Sequence, residues 1–401
     1  MLGMIVLSFP SFSQEFELKE INYLISDKNF IEAKSRISLI DESGLSNNQE
    51  TKLYYYYLNF ILNANAYLEN DFNGEYRIDA IKYYNKLDEF QNNNKLLKYS
   101  KKSLQLKNKL LYAVINKSIE HELNKDYKQA SLNYYNAYLL SKKDTVFLYQ
   151  SAGNALNAKE DSIAILRYKE LISLNYKGNS KNYLATNIST GLIESFGEDV
   201  NSRNEKVKRG LYSNPTNEVE GSKKPDIYKK LALIYINKSN YSEGEYYLIK
   251  AHELNPDDYQ LYINLFYMYM DTNRLFKFIE FKEKALKKFN TNSDLYYNIG
   301  VVYYNLDYKE TAEEYFLKGL ELSPNDYLLN KAIGSILFDK DKVLSDQINS
   351  LRDSKKKRDE LLIKKKENYQ TIINYFKRAY SANNSDKGLK DMISSLEKYL
   401  Q

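Results

Sequence analysis

Two histidines, His121 and His252, are the only side chains of this 401-residue chain that ordinarily titrate near neutral pH, and there is no cysteine. A zinc site or a Ser-His-Asp arrangement would have to draw on one of them, yet neither is followed at i+3 or i+4 by a second ligand. The absence of cysteine removes disulfides, thiolate metal sites and a lipid-modified amino terminus. No GxGxxG or Walker sequence is present to cradle a phosphate. A glycan hydrolase would need a carboxylate pair, and none stands out among 53 acids. These residues predict no catalytic centre, no metal and no cofactor; an envelope glycan-acting enzyme is the weakest of the readings kept open.

The remaining chemistry is charge and aromatic surface. Lys355 to Arg358 and Lys364 to Lys366 form basic clusters, but Asp353, Asp359, Glu360 and Glu367 interleave with them as on a solvated helix face. The alternative is docking to an acidic partner or to anionic headgroups. Lys206, Lys208 and Arg209 read the same way. Net charge is +5, which gives little push toward nucleic acid. The 40 tyrosines could stack on bases, but arginine is sparse and most tyrosines fall at helix-packing positions.

What positions these groups is a repeat. Steps of 34 from Pro225 land on Tyr259, Ser293 and Tyr327. Between Ser293 and Asp326, Tyr296, Ile299, Gly300 and Tyr303 share one face of a first helix, and Ala312, Phe316 and Gly319 one face of a second. Pro324 ends the pair. Tyr228, Leu231, Ala232, Tyr235, Gly244, Leu248, Ala251 and Pro256 fill the same places one unit earlier than Tyr259. The middle unit carries Phe266 and Phe278 at the two small sites, which predicts a wider helix crossing there. A weaker register joins Ser118 to Ala152 and Ala130 to Ala164.

This order of aromatic, Leu-Gly, Tyr, Ala, Phe, Ala and Pro resembles the tetratricopeptide repeat family, although the turn at Leu306 and Asp307 lacks the usual glycine. The resemblance implies an all-α, right-handed solenoid of helical hairpins that binds protein or peptide partners without catalysis. It also implies that the second, fifth, ninth, twelfth and thirteenth residues of each repeat line a concave groove. Those are Asp226, Lys229, Leu233, Ile236 and Asn237; then Gln260, Ile263, Tyr267, Met270 and Asp271; then Asp294, Tyr297, Val301, Tyr304 and Asn305. The family's carboxylate clamp is disfavoured, because Leu233 and Asp294 stand where Asn and Lys are required.

Residues 15–110 read as divergent helical repeats, 111–178 as two weaker repeats, and 225–326 as three regular ones. About eight hairpins are expected in all. An insertion at 179–224 holds Tyr183 to Thr186 and Leu192 to Phe196, either a β-hairpin or a frayed helix; Tyr212 to Asn217 reads as loop. The last repeat, 327–385, takes a helical insertion at about 340–368 that projects, and 386–401 caps the array. The Asn214-Pro215-Thr216-Asn217 loop and the charged extension resemble a group of exported tetratricopeptide proteins in Bacteroidota, which implies a periplasmic protein of undefined role; the leading hypothesis adds a partner in an envelope complex. The apolar run Leu2 to Phe12, closing on Ser11-Phe12-Ser13 before Gln14, reads as a signal peptide over 1–14 without a basic n-region, or else as a buried first helix of a cytoplasmic adaptor. No other stretch is long and apolar enough for a transmembrane segment.

Overall fold

The computed structural model describes residues 10–45, 48–70, 74–179, 181–197, 199–219, 221–350 and 355–401. The chain divides into two compact units, Met1–Lys223 and Lys224–Gln401. Residues 1–9, which hold most of the expected signal peptide, lie outside the described residues. Helix α1 (Pro10–Ser26) already runs through Gln14, so cleavage before Gln14 would remove its first turn.

The first unit pairs α1 with α2 (Phe30–Ser38), α3 (Gln49–Asn70) with α4 (Glu75–Asn94), α5 (Ser100–Leu123) with α6 (Tyr127–Leu140), and α7 (Val146–Asn157) with α8 (Asp161–Ser173). Leu18, Ile21, Phe60, Leu62, Leu87 and Leu110 share one core. The boundary drawn between 110 and 111 falls inside α5, because the apolar positions of that helix continue unbroken from Leu104 through Leu110 to Val114.

A sheet follows. Strands β1 (Lys181–Asn187), β2 (Ile193–Ser195) and β3 (Tyr212–Val219) lie in the order β2-β1-β3, all antiparallel. The β-hairpin alternative therefore describes β1 and β2, while Tyr212 to Asn217, read as loop, is corrected to a strand. Its composition hides it: Asn214, at φ +48°, and Pro215 lie opposite Ala185, between the pairs Ser213–Thr186 and Thr216–Leu184. A bulge tolerates a residue without a ladder N–H. Helix α9 (Val200–Lys208) covers the sheet, and Lys206 sits over the rings of Phe196 and Tyr212.

The second unit pairs α10 (Lys224–Asn237) with α11 (Tyr241–Leu254), α12 (Tyr259–Asp271) with α13 (Leu275–Phe289), α14 (Ser293–Asn305) with α15 (Lys309–Leu322), and α16 (Tyr327–Ser350) with α17 (Lys355–Ala382); α18 (Lys387–Leu400) follows. Within the 340–368 insertion α16 continues to Ser350 and α17 begins at Lys355. The described residues thus form eighteen helices beside one small sheet, an all-α solenoid of hairpins.

The missing turn glycine has a structural answer. Ser239, Asn273 and Asp307, each 34 apart, adopt φ of +59°, +52° and +65°, and Lys125 and Lys159 do the same one period apart. In each, the next residue's N–H reaches back to close the helix, as in Tyr308 N to Tyr303 O at 2.9 Å and Arg274 N to Tyr269 O at 2.8 Å. Asp126 and Asn240, which follow such residues, then cap the second helices.

Packing between paired helices depends on the small sites. A side chain at Gly300 would run into the Phe316 ring, and one at Gly334 into Phe376. In the middle hairpin those sites hold Phe266 and Phe278, both fully buried, with ring centroids 5.1 Å apart at 85°. Fewer residues of α12 and α13 approach one another closely than in the pairs on either side.

Leu389, Ile393 and Leu396 of α18 bury the last apolar face against Ile372, Ile373 and Phe376. Asp386 caps α18 through Leu389 N and also accepts from Lys331 Nζ and the Tyr327 hydroxyl, each at 2.7 Å. Those partners hold its carboxyl well below the usual carboxylate range. A depressed carboxylate stabilises the fold above its unfolded pKa, about 3.9. We expect α18 amides to keep their hydrogen-exchange protection down to about pH 4 and lose it first as pH falls further; protection unchanged in Asp386→Asn at neutral pH would contradict this.

Candidate functional site

The expected groove residues lie on first helices α10, α12 and α14. Tyr267 donates its hydroxyl to Asn298 Oδ1 at 2.7 Å, and Asn298 Nδ2 donates to the Tyr259 hydroxyl at 3.1 Å. Tyr304 donates to Asp339 Oδ2 at 2.7 Å, which ties α14 to α16. Lys229 pairs with Asp258 at 2.8 Å, as Lys331 does with Asp386 at 2.7 Å. Lys229 and Lys331 hold the same place in their repeats, and each grips the aspartate that caps a later helix.

Burial raises the phenol pKa of Tyr267 and Tyr297; the hydrogen bond to Asp339 chiefly, with burial, raises that of Tyr304. All three are neutral donors at physiological pH. With the Lys229 and Lys331 ion pairs internal, the apolar surface is gathered between α14 and α16. Tyr297, Val301 and Tyr304 meet Ala332, Ser335 and Ile336 around a cleft of about 280 Å³ floored by Phe316.

Two expected groove residues offer little open surface. Ile263 is buried, and Ile236 packs inside its own hairpin, where a Cβ on Gly244 would come within 2.6 Å of it. The small residue at 244 draws the isoleucine inward. Met270 is half-buried, while Leu233, Asn237 and Asn305 are exposed. Asn305 Nδ2 is spent on Val301 O at 2.8 Å. Ser335 and Asp339 were legible in sequence, since one further step of 34 from Val301 and Asn305 reaches them. Asn298 carried no such mark.

The histidines stay apart from any such constellation. His252 lies edge-on to Tyr262, with ring centroids 4.7 Å apart, and burial, with Lys284 and Lys288 nearby, holds its pKa low. His121 Nδ1 lies 3.1 Å from Asp126 Oδ2 near the turn into α6. Among the described residues no group of three or more His, Cys, Asp or Glu could hold a metal, and no helix is long and apolar enough to cross a membrane.

Residues 293–326, the α14–α15 pair with its turns, match the family model for the tetratricopeptide repeat. The match is to this one repeat. Human protein O-mannosyl-transferase TMTC3 is 33% identical over 112 residues, which span 27% of this chain and 12% of that protein. Among solved structures, the C-terminal part of a TPR repeat-containing protein from Cytophaga hutchinsonii is similar at 13% identity and TM-score 0.40, covering 69% of this chain and 98% of that one. A tetratricopeptide repeat protein from Parabacteroides merdae follows at 12% identity and TM-score 0.37, covering 85% and 99%.

Proposed function

We propose that the chain is a non-catalytic scaffold whose second unit holds a partner protein by seating an apolar side chain of an extended or helical segment between α14 and α16. The cleft ringed by Tyr297, Val301, Tyr304, Ala332 and Ile336 is the observation that carries this reading. The Tyr304 hydroxyl at its edge is already engaged by Asp339, so recognition rests chiefly on apolar burial, with each well-buried side chain contributing about 1.5–3 kcal/mol. A terminal carboxylate finds no unpaired lysine at Lys229 or Lys331.

The test fills the cleft from its lip. Ser335→Phe and Val301→Glu are expected to abolish recovery of the dominant crosslinked partner while the melting transition stays near that of the parent. Full recovery by both variants would overturn the groove assignment.

The apolar run before Gln14 supports a periplasmic setting for this scaffold, in an envelope complex; a cytoplasmic adaptor is the competing reading. Amino-terminal sequencing of the native protein separates them, since a mature end at Gln14 requires export and an intact Met1 excludes it.

A further inference from the structure

The two edges of the small sheet in the first unit differ. The order β2-β1-β3 leaves one side of β2 and one side of β3 outside the ladder. Along β3 the edge is blunted: the bulge at Asn214 and Pro215 interrupts it, Pro215 has no N–H, and Arg203 Nη1 of α9 donates to Thr216 O at 3.0 Å. Along β2 nothing comparable intervenes among the described residues. Asn187 N donates to Leu192 O and Phe196 N to Tyr183 O, each at 2.8 Å, so Leu192, Glu194 and Phe196 turn their backbone groups toward β1. Antiparallel alternation then turns the N–H and C=O of Ile193 and Ser195 outward.

The two faces differ as well. Helix α9 covers the face that carries Tyr183, Ala185 and Tyr212, with Arg203 over the Tyr183 ring and Lys206 over that of Tyr212. Ala185 is fully buried there. The register places Thr186, Ile188, Ile193 and Leu211 on the opposite face, since Thr186 pairs with Ile193, and Ile188 N reaches Leu211 O at 3.1 Å. Ile193 is 70% exposed, and Ile188 and Leu211 are exposed too. Glu194 turns to the α9 face, where its carboxylate accepts from the Tyr212 hydroxyl and from Asn187 Nδ2. Those hydrogen bonds hold it below the usual carboxylate range, and so ionised.

We propose that the outer edge of β2 accepts an extended segment of another protein as an added strand, with the pattern aliphatic, basic, aliphatic. In an antiparallel addition the two aliphatic residues stand opposite Ser195 and Ile193, exchange backbone hydrogen bonds with them and lay their side chains on the open face. The residue between them stands opposite Glu194, in the kind of pair whose side chains come closest. A lysine or arginine there meets the carboxylate, and a glutamate is repelled. The same rule disfavours a second copy of this chain, because the two-fold register that uses every outward group sets one Glu194 against the other. A two-fold centred on Ile193 would leave Ser195 to pair with Gly191, whose N–H is spent on Asn187 O at 2.8 Å.

The experiment titrates the full chain into fluorescein-labelled Ser-Thr-Val-Lys-Val-Thr-Ser, which is expected to bind. A Val-Glu-Val counterpart, and a copy methylated on both valine backbone nitrogens, should bind at least about tenfold more weakly, or by about 1.4 kcal/mol. A copy methylated on the lysine backbone nitrogen, which faces away from β2, should bind as the parent does. Ile193→Pro removes an outward N–H that the sheet does not use and should weaken binding to the same degree, whereas Ile193→Val should not. Amide exchange at Ile193 and Ser195 should be fast in the chain alone and slow with peptide. Absence of binding, equal affinity for the valine-methylated copy, or sedimentation as a dimer with both amides already protected would overturn the proposal.

Discussion

Phe266→Ala is expected to cost about 3–5 kcal/mol of stability in the second unit. Phe266 is fully buried and stands edge-on to Phe278, which in turn meets Tyr303 at 5.3 Å and 78°. The two phenylalanines occupy sites that are Ala232 and Gly244 one repeat earlier and Gly300 and Ala312 one repeat later. Deleting one ring therefore leaves a hole between helices already held apart by both. Urea denaturation followed by far-UV circular dichroism measures the loss, and a change below about 1 kcal/mol would refute the packing account. The double variant Phe266→Gly, Phe278→Ala restores the small pair of the neighbouring repeats. It should remain at least as unstable as the single variant, because the flanking hairpins fix the spacing of α12 and α13.

The reciprocal change, Gly300→Phe, copies the residue found 34 positions earlier and should cost at least about 3 kcal/mol. Losing a helical glycine would by itself stabilise the helix by up to about 1 kcal/mol. Overpacking wins, because Phe316 already fills the space above Gly300. Phe316→Ala added to Gly300→Phe should recover part of the loss by vacating that space, a coupling of the kind expected for residues in contact. Additive losses in the double variant, measured by the same denaturation, would show that the two sites do not share one volume.

Equivalent places in a repeat are thus not interchangeable, and this marks how far the chain could be read without coordinates. The hairpins were legible because apolar residues at helical spacing must share a face, and because Pro256 and Pro324 punctuate that spacing. The turns were less so: Asp307 and Ser239 reach the left-handed region without glycine, a choice stabilised by the closing hydrogen bond rather than by the residue type. Strand β3 was hidden by a bulge that makes room for Asn214 and Pro215. The groove was legible only by family position, a rule blind to packing: Ile236 lies against Gly244 of its own hairpin, and Ile263 is buried.

Sequence alone determined the 34-residue step, the paired helices and the shortage of catalytic groups, since periodicity and residue supply are properties of order and number. Tertiary structure alone decided which polar groups remain open to a ligand. Lys229 and Lys331 are consumed by capping aspartates, Tyr267 and Tyr304 by Asn298 and Asp339, while the outward backbone groups of Ile193 and Ser195 on β2 stay unpaired among the described residues. The physical reason is that a polar group's availability depends on the partner brought to it from another repeat, and that partner lies some 30 residues or more away along the chain.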